Sequence, residues 1–378
     1  MGRFAPLSAK RRKFVDDSVS SGVSLNRMVW RRFRRNKLAF SSLVLIGLMT
    51  LTAIAGYLIT PDHTPHCNQQ YLELTALKPM SRATFVHTKL PEGSPTRRGL
   101  LHRMCHGEPL PYRAQPVYSW HYEGDTLVAE SYTGSIPNDG ETLRLARSEV
   151  IEVTQRTFIL GTDSYGRDVL SLLLIGSRVS LSVGFIAILI ALLIGITLGS
   201  LAGYFGGWVD NATMWFINVV WSIPTVLLVI AITFALGKGF WQVFVAVGLT
   251  MWVDIARVVR GQVMSLKEKE YVEAARALGF RSGRIIFHHI LPNTVGALIV
   301  IAASNFASAI LLEAGLSFLG IGVQPPMVSW GSMVKENTGH LLLDNAYLAL
   351  LPGAAIMVVV LAFMLLGTGI RDAVDVKR

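Results

Sequence analysis

Long runs without charged side chains alternate along this chain with polar segments. Six of these runs cover residues 38–61, 179–209, 211–237, 239–253, 291–312 and 345–370. About 20 apolar residues in a helix cross the roughly 30 Å hydrocarbon core of a bilayer. The pattern therefore predicts six transmembrane helices, of which the fourth has the weakest signal. A glycine turn at Gly206-Gly207 separates the second and third runs and predicts an antiparallel hairpin there.

The composition agrees with a membrane protein. Of 378 residues, 51% are hydrophobic and 16% are charged, and the mean hydropathy is +0.45. These values lie outside the range of ordinary soluble domains. We therefore expect an all-α polytopic membrane protein, which excludes a soluble enzyme as the reading of the whole chain.

Basic residues predict the orientation, because loops rich in Lys and Arg stay in the cytoplasm. The first 37 residues carry eleven basic and two acidic side chains, and residues 257–284 carry seven basic ones. We expect a cytoplasmic basic arm over 1–37, a cytoplasmic loop over 257–290 and a cytoplasmic tail over 375–378. The net charge of +10 is then explained by topology and lipid headgroups, with no nucleic acid. The run at 38–61 is too long for a cleaved signal and is expected to be retained.

A polar segment over residues 62–160 separates the first two spans and should be extracytoplasmic. Tyr118, Trp120 and Tyr122 alternate along one stretch, and residues 150–154 are rich in β-branched side chains. Both patterns favour strands. We therefore expect a mixed or β-rich insert.

The insert contains both cysteines, Cys67 and Cys105. In an oxidising compartment a disulfide between them is the leading interpretation. A zinc site is a second possibility, because His66 adjoins Cys67 and His106 adjoins Cys105. Two free thiols are the third.

The basic stretch from Glu270 to Asn293 has the pattern of a docking element. Glu273 falls in the early turns of a helix, where the dipole favours an anion, and the small Ala274-Ala275 pair permits close approach of a partner. Gly279 can end the helix in the left-handed region. Leu291-Pro292 then begins the next helix, where proline is tolerated in the first turn.

These residues resemble the E-A-A loop of binding-protein-dependent ABC importer permeases, which docks on a cytoplasmic ATPase subunit. His289 stands where that family usually has isoleucine. A more specific match follows Leu160: the string from Gly161 to Ser171 resembles the G-T-D-x-x-G-R-D-V-x-S signature of C-type permease subunits of dipeptide, oligopeptide and nickel importers. Leu172 replaces a common arginine there. The resemblance continues at residues 203–210, 223–225, 256–262, 316–326, 329–331 and 369–373.

The candidates for the translocation path are polar groups near the bilayer, since burying them without a partner is costly. The candidates are Asn218, Asp254, Asn305 and Glu313. For Asp254 and Glu313, an interfacial position or a partner within the bundle is the competing interpretation. Asn218 and Trp215 stand where the family often has a charged pair. Pro224 is expected to kink the third span.

The resemblance implies six helices of the type I ABC importer kind, with a five-helix core over residues 161–374. It implies a non-catalytic permease subunit that takes up short peptides across the bacterial inner membrane, with both termini cytoplasmic. The expected partners are a second permease, two ATPase subunits that bind ATP and Mg²⁺, and an extracytoplasmic solute-binding protein. The chain shows no Walker A loop, and no cofactor or metal is expected on it. The alternatives are a nickel or other small-solute importer, an ion-coupled transporter or a membrane scaffold.

Overall fold

The computed structural model describes residues 25–90, 99–134, 137, 139–237, 239–342 and 344–374. Most of the predicted basic arm, residues 1–24, and the predicted tail, residues 375–378, lie outside the described residues. The described part is mostly helical, with one β-sheet between the first two long helices.

The helices differ in length by more than fivefold, and only the long apolar ones can cross a membrane. They are α1 (Leu25–Arg35), α2 (Lys37–Ile59), α3 (Leu100–His106), α4 (Val169–Phe205), α5 (Gly207–Trp221), α6 (Thr225–Leu236), α7 (Phe240–Lys267), α8 (Glu270–Ala277), α9 (Leu291–Phe318), α10 (Trp330–Glu336) and α11 (Tyr347–Val374). Short helical turns at Ser282–Arg284 and a π-helical segment at Ile285–Ile290 lead directly into α9.

Helices α4 and α7 extend by ten or more residues beyond the charge-free runs that predicted them. The Asp168 carboxylate accepts a hydrogen bond from the backbone N–H of Ser171 at 2.9 Å, so α4 begins at Val169 and includes Arg178. Helix α7 continues to Lys267, so residues 257–267 of the predicted cytoplasmic segment are helical. In each case a charged side chain inside the helix, Arg178 in α4 and Asp254 in α7, had set the limit of the predicted run.

Glycines bring α4 and α7 into close contact. A Cβ atom added at Gly195 would lie 2.7 Å from Ile255 Cβ, one at Gly199 would lie 2.5 Å from Ala256 O, and one at Gly203 would lie 2.7 Å from Arg260 O. The contacts advance along both helices in the same direction. Helices α4 and α7 therefore run parallel.

The parallel direction of α4 and α7 decides the number of membrane crossings. Five helices of the described residues are long and apolar enough to cross by length and composition, and the bent pair α5–α6 makes six if it is one span. Because α7 runs parallel to α4, the chain must return between them, and only α5–α6 lies there. The pair bends by 91°, with Pro224 directly before α6, as the predicted kink requires.

The remaining contacts place the ends of the spans. Ala39, near the start of α2, would touch a Cβ atom at Gly369, near the end of α11. At the other end of α2, Arg178 near the start of α4 donates to Ala53 O at 2.9 Å. The start of α2, the end of α11 and α8 thus lie on one side of the helix bundle, and the segment between α2 and α4 lies on the other.

That segment contains a five-stranded antiparallel sheet, which confirms the predicted β-rich insert. The strands are β1 (Ser81–Lys89), β2 (Tyr112–Glu123), β3 (Thr126–Ser131), β4 (Thr142–Ala146) and β5 (Val150–Phe158), in the order β4-β3-β2-β1-β5. Alternate residues of β1 face opposite sides: Phe85 packs with Tyr71 and Phe158, and Val86 packs with Val117 and Leu127. Strand β1 therefore contributes to a buried apolar cluster on each of its two sides.

The expected disulfide is wrong for this structure, because both cysteines are free. Cys67 is fully buried, and its thiol donates a hydrogen bond to Asp62 O at 3.1 Å. Cys105 is exposed on α3. In the described part of the chain, no group of three or more His, Cys, Asp or Glu side chains is arranged to hold a metal ion.

Candidate functional site

Helix α8 has the local structure that its sequence predicts. Glu270 and Glu273 occupy its first turn. At its other end Gly279 has a φ of +75°, its N–H bonds Arg276 O at 2.9 Å, and Phe280 N–H bonds Ala275 O at 3.1 Å. This pair of bonds is a Schellman motif, which satisfies carbonyls that the helix end leaves open. The predicted left-handed conformation of Gly279, which ends the helix, is confirmed.

One face of α8 packs against the protein and the rest is exposed. Val272 and Ala275 are buried, whereas Glu273 and Ala274 are exposed. Ala275 therefore packs inward and cannot itself contact a partner, although its small size lets α8 lie close to its support. Further along, Gly279 and Pro292 are exposed and Leu291 is half-buried.

Two large apolar side chains beside α8 were not singled out from the sequence. Leu278 is 73% exposed and Phe287 is 67% exposed. Leu278 lies outside the long apolar helices, so membrane lipid does not account for its exposure, whereas Phe287 lies near the start of the continuous helical stretch Ser282–Phe318. Exposed apolar side chains in a polar setting mark protein interaction sites. We call Glu273, Ala274, Leu278 and Phe287 the coupling surface.

His289, which departs from the family pattern, contributes to the support of this surface. The His289 ring stacks on the Phe280 ring with centroids 5.9 Å apart. The Arg284 guanidinium lies over the same Phe280 ring, 4.6 Å from its centroid. His289 is half-buried. Histidine in place of the family's usual isoleucine therefore changes the side-chain packing beside the turn that follows α8.

Helix α8 contacts the spans through Arg276. The Arg276 guanidinium lies 5.2 Å from the ring centroid of Tyr204, near the end of α4. Close by, Arg260 of α7 forms an ion pair with Asp210 of α5, with Nη2 to Oδ2 at 2.6 Å. A displacement of α8 therefore reaches α4 directly, and the ion pair links α5 to α7 at the same end of the bundle.

On the opposite side of the bundle, the motif at residues 161–171 forms the hydrogen-bonded turn that was predicted. Asp163 accepts from the backbone N–H groups of Tyr165 and Arg167, each at 2.9 Å. Arg167 donates to Asp163 at 2.7 Å and to Glu336, at the end of α10, at 2.5 Å. Burial would lower the pKa of Arg167, but the ion pairs with Asp163 and Glu336 outweigh it and raise that pKa. The guanidinium thus remains charged and joins the turn to α10.

Glu313 is enclosed and does not line an open path. Its side chain is fully buried and accepts from Ser317 at 2.7 Å and from Ser180 at 3.4 Å. The Trp330 N–H in turn bonds the Ser180 hydroxyl at 3.3 Å. Glu313 therefore joins α4, α9 and α10, which is the competing interpretation given above.

The other path candidates divide by exposure. Asn218, Pro224 and Asp254 are exposed, whereas Asn305 is buried and its amide donates to Met251 O at 3.4 Å. The structure therefore does not bring the five candidates into one cluster. The three exposed ones belong to α5, α7 and the break before α6.

Comparisons with known proteins agree on one kind of protein. The family described as "Binding-protein-dependent transport system inner membrane component" matches residues 195–378, and "N-terminal TM domain of oligopeptide transport permease C" matches residues 24–79. The dipeptide transport system permease protein of Alkalihalophilus pseudofirmus is 43% identical over 217 residues, which are 57% of this chain and 71% of that protein.

Two further similarities were found. The glutathione transport system permease protein of Pectobacterium atrosepticum is 43% identical over 218 residues, covering 58% of this chain and 72% of that protein. A chain of the MetNI methionine ABC transporter in an inward-facing conformation aligns with a TM-score of 0.45 and 21% identity, over 55% of this chain and 98% of that one.

Proposed function

Because this chain belongs to the binding-protein-dependent transport system inner membrane components, and within them to the oligopeptide permease C type, we propose that it takes up short peptides. It is a non-catalytic, multi-pass permease subunit of the inner membrane. In the proposed complex it forms half of the translocation path and couples to a cytoplasmic ATPase subunit. ATP and Mg²⁺ bind the two ATPase subunits and not this chain.

The coupling surface is the observation that carries the proposal. Glu273 places a negative charge on the short helix α8, outside the membrane spans. Leu278, the residue directly after α8, is 73% exposed. A partner that displaces α8 also displaces Arg276, which belongs to α8 and contacts Tyr204 of α4. Helices α4 and α7 pack so closely at Gly199 that a Cβ atom added there would lie 2.5 Å from Ala256 O of α7. These two helices therefore move as one body.

Alternating access follows from this arrangement. ATP binding closes the two ATPase subunits and brings the paired α8 helices together, and each α4–α7 pair rocks with its own α8. The break at Pro224 lets α6 change direction relative to α5 without unfolding either helix. Asn218, Pro224 and Asp254 are exposed in this chain. In the proposed complex they line the translocation path or contact the second permease.

Short peptides are proposed as cargo because the names of the similar proteins include dipeptide and glutathione permeases. A nickel or other small-solute importer remains the second candidate within the family. The peptide proposal predicts that ATP hydrolysis responds to peptides delivered by the solute-binding protein and not to nickel. The reverse response would support the second candidate.

The orientation is part of the proposal. The start of α2, the end of α11 and α8 lie on one side, and the chain carries its clusters of arginine and lysine there. The positive-inside rule assigns that side to the cytoplasm. The β-sheet insert is then extracytoplasmic, on the side from which a solute-binding protein delivers cargo.

The experiment compares Glu273→Lys with Glu270→Lys in the reconstituted complex. Both residues are exposed in the first turn of α8, so both substitutions remove an anion from the same helix N-terminus and reverse its charge. We expect Glu273→Lys to abolish peptide uptake while the complex stays folded, and Glu270→Lys to keep most of it. Equal uptake by the Glu273→Lys complex and the native one would refute the coupling role.

A further inference from the structure

The insert contains a cavity that the transport proposal does not use. It has a volume of about 460 Å³, which is inside the range of small-molecule pockets. It lies where the chain leaves α2 and meets strands β1, β2 and β5. Aromatic walls with a few convergent polar groups are typical of such pockets. Its aromatic walls and charged or titratable groups are Tyr71, Phe85, Tyr112, Asp62, His63, His87, Glu152 and Arg156.

Most of its polar groups already have partners. The two ring nitrogens of His87 lie 3.2 Å from Glu152 Oε1 and 3.2 Å from Thr154 Oγ1. The Asp62 carboxylate accepts from the backbone N–H of Thr64 at 2.8 Å. The ring of His87 also stacks on Tyr112 with centroids 4.1 Å apart. These groups form the walls of the cavity and already have hydrogen-bond partners within the protein.

Arg156 is different. Its Nη2 atom is buried and has no hydrogen-bond partner among the described residues, while its guanidinium lies 5.2 Å from the ring centroid of Phe158. Burial raises the pKa of Tyr71 to about 12, so this neighbouring phenol remains neutral and supplies no counter-charge. A buried donor without an acceptor is costly, most of all on a charged group. An anion in the cavity would remove that cost after a small rotation of the guanidinium.

We propose that this cavity binds a small solute through a carboxylate group held by Arg156. A planar carboxylate matches the guanidinium fork with two parallel hydrogen bonds. Asp62 and Glu152 also line the cavity, so a doubly charged phosphate meets more repulsion than a carboxylate with one charge. The site lies in the insert, apart from the spans, and does not depend on the identity of the transported solute.

The test is a binding titration with the full complex in phosphatidylcholine nanodiscs, without ATP and without the solute-binding protein. The probes are trialanine with a free C-terminus and trialanine amide, which differ in the carboxylate. We expect trialanine to bind at least about tenfold more tightly than the amide, as loss of a charge-assisted hydrogen bond predicts. Equal affinity for the two probes, or no binding of trialanine at all, would overturn the proposal.

Three variants locate the effect. Arg156→Gln should weaken trialanine binding at least about tenfold, Arg156→Lys should weaken it less, and neither should change binding of the amide. Arg147→Gln is the matched control, because Arg147 lies over Tyr122 at 4.9 Å and does not line the cavity. Unchanged trialanine affinity in Arg156→Gln would contradict the assignment.

Two further measurements separate binding in the cavity from binding in the transport path and from lipid binding. A diazirine-labelled trialanine should crosslink to cavity residues such as Tyr71 and Tyr112 in the native complex, whereas labelling confined to the spans would place the peptide in the transport path instead. Adding phosphatidylglycerol to the nanodiscs should leave trialanine affinity unchanged. A loss of about tenfold on adding that lipid would assign the cavity to headgroup phosphates and overturn the proposal.

Discussion

Replacing Arg167 with glutamine tests how the motif before α4 is held together. Arg167 is 5% exposed, and Asp163 is 2% exposed. The substitution removes the hydrogen bond from Nε to Asp163 at 2.7 Å and the one from Nη2 to Glu336 at 2.5 Å. Asp163 keeps its two bonds from backbone N–H groups but loses its counter-charge inside the protein.

The magnitude follows from the burial of the two acids. Removing one partner of a buried ion pair costs about 3–5 kcal/mol. The backbone bonds to Asp163 favour the low end, and the side chain of Glu336, which is 22% exposed, recovers part of its hydration. We therefore expect a loss of about 3 kcal/mol, or roughly 4 °C in apparent melting temperature for a chain of this length. Adding Asp163→Asn removes the unpaired charge and should restore part of the loss.

The assay is loss of the monodisperse chromatographic peak after heating in one detergent. Arg82→Gln is the control, because Arg82 lies exposed on β1 and its loss should leave the melting temperature within about 1 °C. A shift of under about 1 °C for Arg167→Gln, or a double variant less stable than the single one, would refute the reasoning.

Three further outcomes are expected. Gly199→Ala should destabilise the spans, because the new Cβ atom would lie 2.5 Å from Ala256 O; Gly261→Ala, where nothing lies within 4 Å, is the control for heat stability. Burial lowers the pKa of His87 below its usual value of about 6.5, so the folded chain takes up that proton less readily than the unfolded chain. Stability should therefore be full above about pH 6.5 and fall as the pH drops through the lowered pKa, and His87→Gln should flatten this dependence while His121→Gln does not. A maleimide should label the native protein at exposed Cys105 and not at Cys67, where burial raises the pKa of the thiol; equal resistance of both cysteines until a reductant is added would show a disulfide.

The helical spans could be predicted because a bilayer imposes a length and an apolar composition on each crossing. The errors came from charged side chains inside helices. Arg178 interrupts the run of α4, but its guanidinium donates to Ala53 O and Ile54 O, both at 2.9 Å, so the charge is accommodated among helices. Such a contact joins distant parts of the chain and has no signal in a window of neighbouring residues.

The candidate site was predictable where function depends on local structure. Glu273 in the first turn and Gly279 after the last one follow from helix capping, and both are found there. The roles of Leu278 and Glu313 depend on what covers them. Glu313 is paired within the bundle, through Ser180 and Ser317, and only the fold brings those serines to it.

The insert could be predicted as β-rich, but not its pairing. Alternating aromatic residues locate β2, whereas the order β4-β3-β2-β1-β5 places the last strand beside the first. The cavity at Arg156 depends on that neighbour relation, because β1 and β5 both supply lining residues.

Purification of the tagged chain from its native membrane tests the central claim most directly. The copurifying subunits are identified, and Mg-ATP hydrolysis is measured with and without peptides and the solute-binding protein. We expect a second permease, ATPase subunits and hydrolysis that rises with peptide-loaded binding protein. A chain that purifies alone, without hydrolysis, would contradict the assignment of this protein as a coupled permease subunit.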